Sequence, residues 1–186
     1  MRLFETEEEV RCVSTLTTPT GPVGVFPFLD VSGEELLSAR RRIVLLHGVQ
    51  DPGNVGTVIR SAHAFGAGVA LSKGCADLYN PKTVRATMGS IFHAPVARDL
   101  ETVEFLRRAV EAGFATAAAV PEGGEVPSAV FEERVVVVVG AEGSGLPQDV
   151  VEACGARVTV PSRAASLNAA VAASILLYEA HMRVLG

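Results

Sequence analysis

Apolar residues along the chain fall into two rhythms. Brief apolar runs at 43–47 (IVLLH), 68–71 (GVAL), 114–120 (FATAAAV) and 134–140 (RVVVVVG) are bounded by turn residues. Such runs predict strands, and the five consecutive valines suit a strand covered on both faces. VGVFPF, IFHAPV and ARVTVP add three further candidate strands, the first an edge strand because its proline cannot donate. Between these runs the period changes to that of a helix. VGTVIRSAHAFG predicts a helix with Asn54 as N-cap and Gly66 as its stop, and NPKTVRATMG one with Asn80 as N-cap and Pro81 in first position. DLETVEFLRRAVEAG is amphipathic, begun by Asp99 and stopped by Gly113, and PQDVVEACG reads as a short helix. The last helix follows VPSRAASLN, with Ser166 and Asn168 at its head and mostly small apolar residues behind them. Strand and helix alternate throughout, which predicts an α/β fold with a mostly parallel sheet.

Composition narrows the class. The 186 residues are 48% apolar and 20% charged, enough for one packed core and unlike a disordered chain. Aromatic residues make up 5% and tryptophan is absent, so base-stacking platforms have little material. Cys12, Cys75 and Cys154 are far apart, with no Cys-x-x-Cys pair; this predicts a reduced, cytoplasmic protein with no disulfide framework and no metal site. MRLFETEEEV has no apolar signal core, and the last helix is interrupted by Ser174 and closes on Tyr178 and Glu179, so no membrane span is expected. Net charge is −5, which weighs against indiscriminate nucleic-acid binding. Residues 53–98 nevertheless carry Arg60, Lys73, Lys82, Arg85 and Arg98 against Asp77 alone. That stretch reads either as an RNA footprint or as an ordinary solvated surface.

In open α/β sheets, ligands sit beyond the carboxyl ends of the strands. Three such loops stand out: GVQDPGNVGTVIR, GAEGSGLP and PSRAASLN. None carries a Walker A motif or a dinucleotide fingerprint. Gly140, Gly143 and Gly145 allow a tight loop that presents its backbone to a flat heteroaromatic ligand, or simply a structural turn. The polar residues of these loops are Asn54, Arg60, Glu142, Ser144, Arg163, Ser166 and Asn168. An arginine with amides and hydroxyls suits an anion, or negative charge developing on oxygen. Arg60 also reads as a surface ion-pair residue, and Asn54 and Ser166 as plain N-caps. Asn168 stands where helix propensity would place Ala or Leu.

DPGNVGTVIRSAHAFG, VVVVVGAEGSGLP and PSRAASLNAAVAASILLYE resemble the three successive motifs of the SpoU (TrmH-like) RNA 2′-O-ribose methyltransferases, and NPKTVRATMGSIFHAPV the segment between the first two. The resemblance covers residues 43–180. It implies a SPOUT α/β fold with a deep C-terminal trefoil knot, an exception to the rarity of knots, and a homodimer. It implies S-adenosylmethionine as cofactor, bound by Gly140, Gly145 and Leu146 of the second motif and by Val160, Pro161, Leu167 and Asn168 of the third, with Ala119 beside the adenine. Arg60 would hold a phosphate or ribose oxygen of RNA and favour loss of the 2′-OH proton, though a guanidinium is a poor free base. Asn54 would orient Arg60 or the ribose, Glu142 would hold the polar network, and Ser166 and Asn168 would line the pocket beside the methyl group.

Two departures from the family pattern qualify this. The third-motif loop is short and lacks the glycine usual between its proline and serine. VSTLTTPTGPVGVF resembles only the junction that follows an N-terminal RNA-binding domain in the ribosomal branch. Residues 1–40 are accordingly expected to be an N-terminal segment or linker, and 41–186 the methyltransferase domain. The chain is then either a minimal enzyme or a catalytic domain without its RNA grip. Ribosomal RNA is favoured over transfer RNA as substrate. A non-catalytic RNA-binding or assembly module with the same fold is the principal alternative, and a nicotinamide-dependent oxidoreductase is disfavoured by the missing fingerprint.

Overall fold

A computed structural model of the chain describes residues 2–14, 18 and 21–185. Its centre is a six-stranded sheet built from β3 (Arg42–His47), β4 (Gly68–Ser72), β5 (Val96–Leu100), β6 (Ala115–Ala119), β7 (Val135–Gly140) and β8 (Ala156–Val158). The strand order is β5-β4-β3-β7-β6-β8, and every neighbouring pair is parallel. A separate antiparallel ribbon pairs β1 (Arg2–Phe4) with β2 (Val23–Val25) and accompanies α1 (Glu7–Val13). The expected VGVFPF strand is thus present, but it pairs outside the main sheet and stops before its proline. The junction-like stretch 13–26 lies partly outside the described residues.

Alternate residues of the central strands feed two cores, which explains their unbroken apolar runs. Val44, Leu46, Val137 and Val139 face a layer made by α3 (Pro52–Ala64), α6 (Pro127–Val130) and α8 (Ala169–Leu185). Ile43, Leu45, Val136 and Val138 face the opposite layer, made by α2 (Gly33–Ala39), α5 (Thr102–Glu111) and α7 (Gln148–Glu152). Leu36 and Leu37 of α2 are buried in this second core, so the layer begins before residue 41.

Three boundaries differ from the sequence reading. Helix α3 begins at Pro52 with Asp51 as its N-cap, whose Oδ1 accepts from Asn54 N at 2.8 Å; Asn54 is the third helical residue. The Asp-Pro pair supplies both the cap and the first-turn proline, which leaves the Asn54 amide free for other partners. IFHAPV is not one strand: Ser90–Phe92 is a 3-10 turn and β5 begins at Val96. Asp99 does not start α5. It lies inside β5 with φ +58°, where the pairing steps from Ala70↔Ala97 to Ser72↔Leu100 and so leaves an extra residue on β5 as a bulge. Asn80 and Pro81 do begin α4 (Pro81–Ala86), with Asn80 Oδ1 accepting from Lys82 N at 2.9 Å.

Helices α3 and α4 cross closely at Gly56, where a Cβ would stand 2.4 Å from Ala86 Cβ and 2.8 Å from the Thr83 carbonyl oxygen. Helix α8 returns from the β8 edge to pack on α3, β7 and β3. Its Ala169, Ala170 and Ala173 are buried, and Ser174 Oγ lies 2.7 Å from Ser61 Oγ of α3. The small residues at its start allow this approach. No helix among the described residues is long and apolar enough to cross a membrane, and all three cysteines are free.

Candidate active site

Three loops at the carboxyl ends of β3, β7 and β8 meet at one mouth. The first is fixed by the Asp51 cap, which turns the opening of α3 toward β7. The second, after Gly140, folds back on itself: Gly145 N donates to Ala141 O at 2.9 Å, with Gly143 and Gly145 at φ +85° and +66°. A Cβ on Gly140 would lie 2.4 Å from both the carbon and the oxygen of the Gly145 carbonyl, so this position requires glycine for close approach. The third loop ends at Asn168, whose Oδ1 accepts from Ala170 N at 3.0 Å and Val171 N at 3.1 Å and so caps α8.

One polar network joins the three. Glu142 Oε1 accepts from Asn54 Nδ2 at 3.1 Å, from Ala169 N at 3.3 Å and from Asn168 Nδ2. Asn168 Nδ2 also donates to Asn54 Oδ1 at 3.2 Å. The carboxylate therefore sits at the N-terminus of a 17-residue helix, where unsatisfied N–H groups and the helix dipole favour negative charge. Each amide contributes a donor and an acceptor to neighbours of fixed polarity, so the arrangement has one consistent set of hydrogen bonds.

Behind the network lies a cavity of about 570 Å³. Seven of the eight residues expected to bind a cofactor line it: Ala119, Gly140, Gly145, Leu146, Val160, Leu167 and Asn168, whereas Pro161 does not. Ser166 lines it too, but is exposed and does not cap α8. Glu142 is the one charged residue in the lining among the described residues. Sequence reasoning missed Val120, Pro121, Ser144, Ser162, Ala164 and Ala172. Ser144 was in view within the quoted glycine loop, but small apolar residues such as Ala164 and Ala172 carry no chemical signal. Val120 is placed by the sheet, through Val120 N to Val158 O at 2.9 Å and Thr159 Oγ1 to Val120 O at 3.0 Å.

Arg60 stands apart. It is exposed on α3, and its side chain has no hydrogen bond or ion pair among the described residues. It lies six positions beyond Asn54, about 9 Å along the helix axis. The Asn54 amide is held by Glu142 and Asn168 instead of Arg60. The surface ion-pair reading of Arg60 finds no partner in the structure.

The profile described as the SpoU rRNA Methylase family matches residues 41–178. The chain belongs to that family. It is 40% identical over 155 residues to the 23S rRNA (guanosine(2553)-2′-O)-methyltransferase RlmP of Bacillus subtilis (strain 168), covering 81% of this chain and 61% of that protein. It is 36% identical over 146 residues to the 23S rRNA (uridine(2479)-2′-O)-methyltransferase of Streptomyces viridochromogenes, covering 74% of this chain and 51% of the relative. The chain thus spans little more than half the length of these curated relatives. Among solved structures, the rRNA methyltransferase from Sinorhizobium meliloti superposes with a TM-score of 0.86 at 33% identity, covering 97% of this chain and 71% of that one. Its AdoMet-bound form gives 0.84 at 34% identity, with the same coverage. In this SpoU family member the three quoted motifs correspond to the three loops that meet at Glu142.

Proposed function

We propose that this SpoU family chain is the methyl-transfer part of an S-adenosylmethionine-dependent RNA 2′-O-ribose methyltransferase, acting on ribosomal RNA. The observation that carries the reading is the Asn54–Glu142–Asn168 network, which closes three motif loops around the cavity. The cavity fits the cofactor. Its volume lies in the range of small-molecule sites, its walls are apolar at Leu146, Val160 and Leu167, and its polar groups gather at the mouth. When bound, the sulfonium supplies an already activated methyl group, so the protein's task is alignment.

Asn54 and Asn168 fix the Glu142 carboxylate, and the three together hold the mouth of the cavity in one shape. Arg60, with no partner of its own, is available to an RNA phosphate or to the ribose oxygen as that oxygen loses its proton. A guanidinium pKa above 12 makes it a stabiliser of negative charge, not a free base. Ser166 offers an uncommitted hydroxyl on the same rim. The trefoil knot belongs to this reading, supported by the return of α8 from β8 across β7 and β3. So does a homodimer: Val171, Tyr178 and Met182 are exposed and share one face of α8.

Calorimetric titration with S-adenosylmethionine or its demethylated product tests the cofactor, and a folded chain that binds neither rejects the proposal. Labelled methyl transfer onto unmodified total RNA, with mapping of the modified ribose, tests the reaction and separates ribosomal from transfer RNA. RNA binding that survives Arg60→Ala, without any label transfer, would identify a non-catalytic module. Sedimentation of Tyr178→Glu against the unmodified chain tests the dimer.

A further inference from the structure

We infer that the face formed by α3, α4 and the strap 26–30 is a single-stranded RNA platform beside the catalytic mouth; this rests on the RNA-methyltransferase reading above and assigns it a surface. The first observation is how the basic stretch resolves. Of its five cations, Lys73 is paired with Glu101 at 2.7 Å, and Arg98 with Asp30 at 3.2 Å and Asp99 at 3.0 Å. Arg60, Lys82 and Arg85 are exposed and have no side-chain partner among the described residues. All three lie on α3 and α4, which cross at Gly56. In a chain of net charge −5, three unneutralised cations on two touching helices form a local anion site.

The second observation is independent of charge. Aromatic residues are scarce in this chain, yet four of the ten gather along this face. Phe28 stacks on Tyr79 with ring centroids 4.5 Å apart, and Phe26 meets Phe92 at 5.0 Å. Phe28 is 73% and Phe92 52% exposed, so both leave ring surface in solvent. The strap that carries Phe26 and Phe28 is anchored and not loose. Tyr79 Oη accepts from Leu29 N at 2.6 Å and Asp30 N at 2.9 Å and donates to Asp30 Oδ1 at 2.6 Å. That hydroxyl bond, with Arg98, holds the Asp30 carboxyl below its ordinary range. Next to Phe92, His93 stacks on His63 of α3 with centroids 4.6 Å apart, which carries the flat surface back toward Arg60.

The cation directly over Phe28 and Tyr79 is the paired Arg98, at 5.6 and 5.5 Å from their centroids, while the unpaired Lys82 and Arg85 lie on α4, between Tyr79 and Phe92 in the chain. Exposed rings flanking unpaired cations suit single-stranded RNA, with bases stacked on the rings and phosphates on Arg and Lys. An apolar protein partner would have no use for the unpaired Lys82 and Arg85, and a purely electrostatic patch no use for Phe28 and Phe92. The sequence undercounted this platform because stacking material was judged by its total amount, while the fold concentrates it.

The test uses the full chain and a fluorescein-labelled oligouridine of about 12 nucleotides, a length within known single-strand site sizes. Anisotropy should show salt-dependent binding by the unmodified chain. Lys82→Ala with Arg85→Ala should weaken it about tenfold and reduce the slope of log affinity against log salt by about 1.4, the value for two lost phosphate contacts. Phe28→Ala should weaken binding about fivefold or more while leaving the salt slope unchanged. S-adenosylmethionine affinity should be unaffected in both variants. Absence of binding by the unmodified chain, or binding unchanged in the variants, overturns the platform. If instead Phe28→Ala alters only the chain's own sedimentation, the face is a protein-docking surface and the inference fails. Loss of cofactor binding in the unmodified chain, with the RNA effects intact, would reject the methyltransferase reading and leave the platform standing.

Discussion

Replacing Asn168 separates its two duties, because different atoms perform them. Oδ1 caps α8 through the Ala170 and Val171 amides, while Nδ2 binds Glu142 and Asn54. Asn168→Ala removes both. Loss of an Asn cap costs about 1 kcal/mol. The bonds to Glu142 involve a charged acceptor but exposed groups, so they add about 1 kcal/mol more. For a chain of this size the sum lowers the melting temperature by about 4–8 °C. Asn168→Ser keeps a capping oxygen and loses the link; it should melt closer to the unmodified chain and still fail to transfer methyl groups. Asn168→Asp keeps the cap but sets a second carboxylate against Glu142, a repulsion of about 1–4 kcal/mol depending on how far water screens it. That variant should melt below the unmodified chain at neutral pH. Scanning calorimetry, run beside labelled methyl transfer, reads all three. Wild-type transfer by Asn168→Ser would refute the role given to the network, and an unshifted melting point for Asn168→Ala would refute the cap.

Gly140→Ala drives a Cβ into the Gly145 carbonyl, so it should destabilise the chain by about 1–3 kcal/mol and weaken cofactor binding in calorimetry; unchanged affinity would show that the loop is free to move. Burial pushes the Cys154 thiol up from its ordinary value of about 9 to about 12. The unfolded chain therefore ionises first, so stability should fall as pH rises from about 9 toward 12. Cys154→Ala should flatten that alkaline decline in denaturant melts, and a slope left unchanged would assign it elsewhere. Inserting a glycine between Pro161 and Ser162 should change cofactor affinity with little effect on melting temperature, whereas a fall of several degrees would mean that loop length positions Asn168.

The sheet was legible because its strands are buried on both faces, and such strands announce themselves as unbroken apolar runs: β3, β4, β6 and β7 lie where those runs do. What was less legible lay where two local rules compete. Asn54 looked like a cap because it precedes the apolar helix face, yet Asp51 followed by Pro52 outcompetes it, and this releases the Asn54 amide for Glu142. Asp99 looked like a helix start, but a bulge in β5 takes it into the left-handed region that Asp tolerates. The cavity lining followed the motif loops closely because backbone and small residues shape it. Pro161 falls outside because the third loop leaves the wall at Val160 and rejoins it at Ser162.

That short loop bears on the site in a definite way. The member of the network that follows this loop is Asn168, since Asn54 and Glu142 are carried by α3 and the β7 loop. Asn168 reaches both and caps α8, so the polar network at the mouth of the cavity is closed. The residues that absorb the shortening, Ser162 to Ser166, are exposed, with Ala164 N bonded to Ser162 Oγ at 3.0 Å in a turn of their own. Shortening therefore falls on the rim of the cavity and not on its polar centre. On the proposed function, a rim shared by cofactor and RNA sets how tightly each is held, whereas alignment at the mouth is set by the three side chains of the network. Under the proposed function, affinity thus belongs to the loop and alignment to the Asn54–Glu142–Asn168 network.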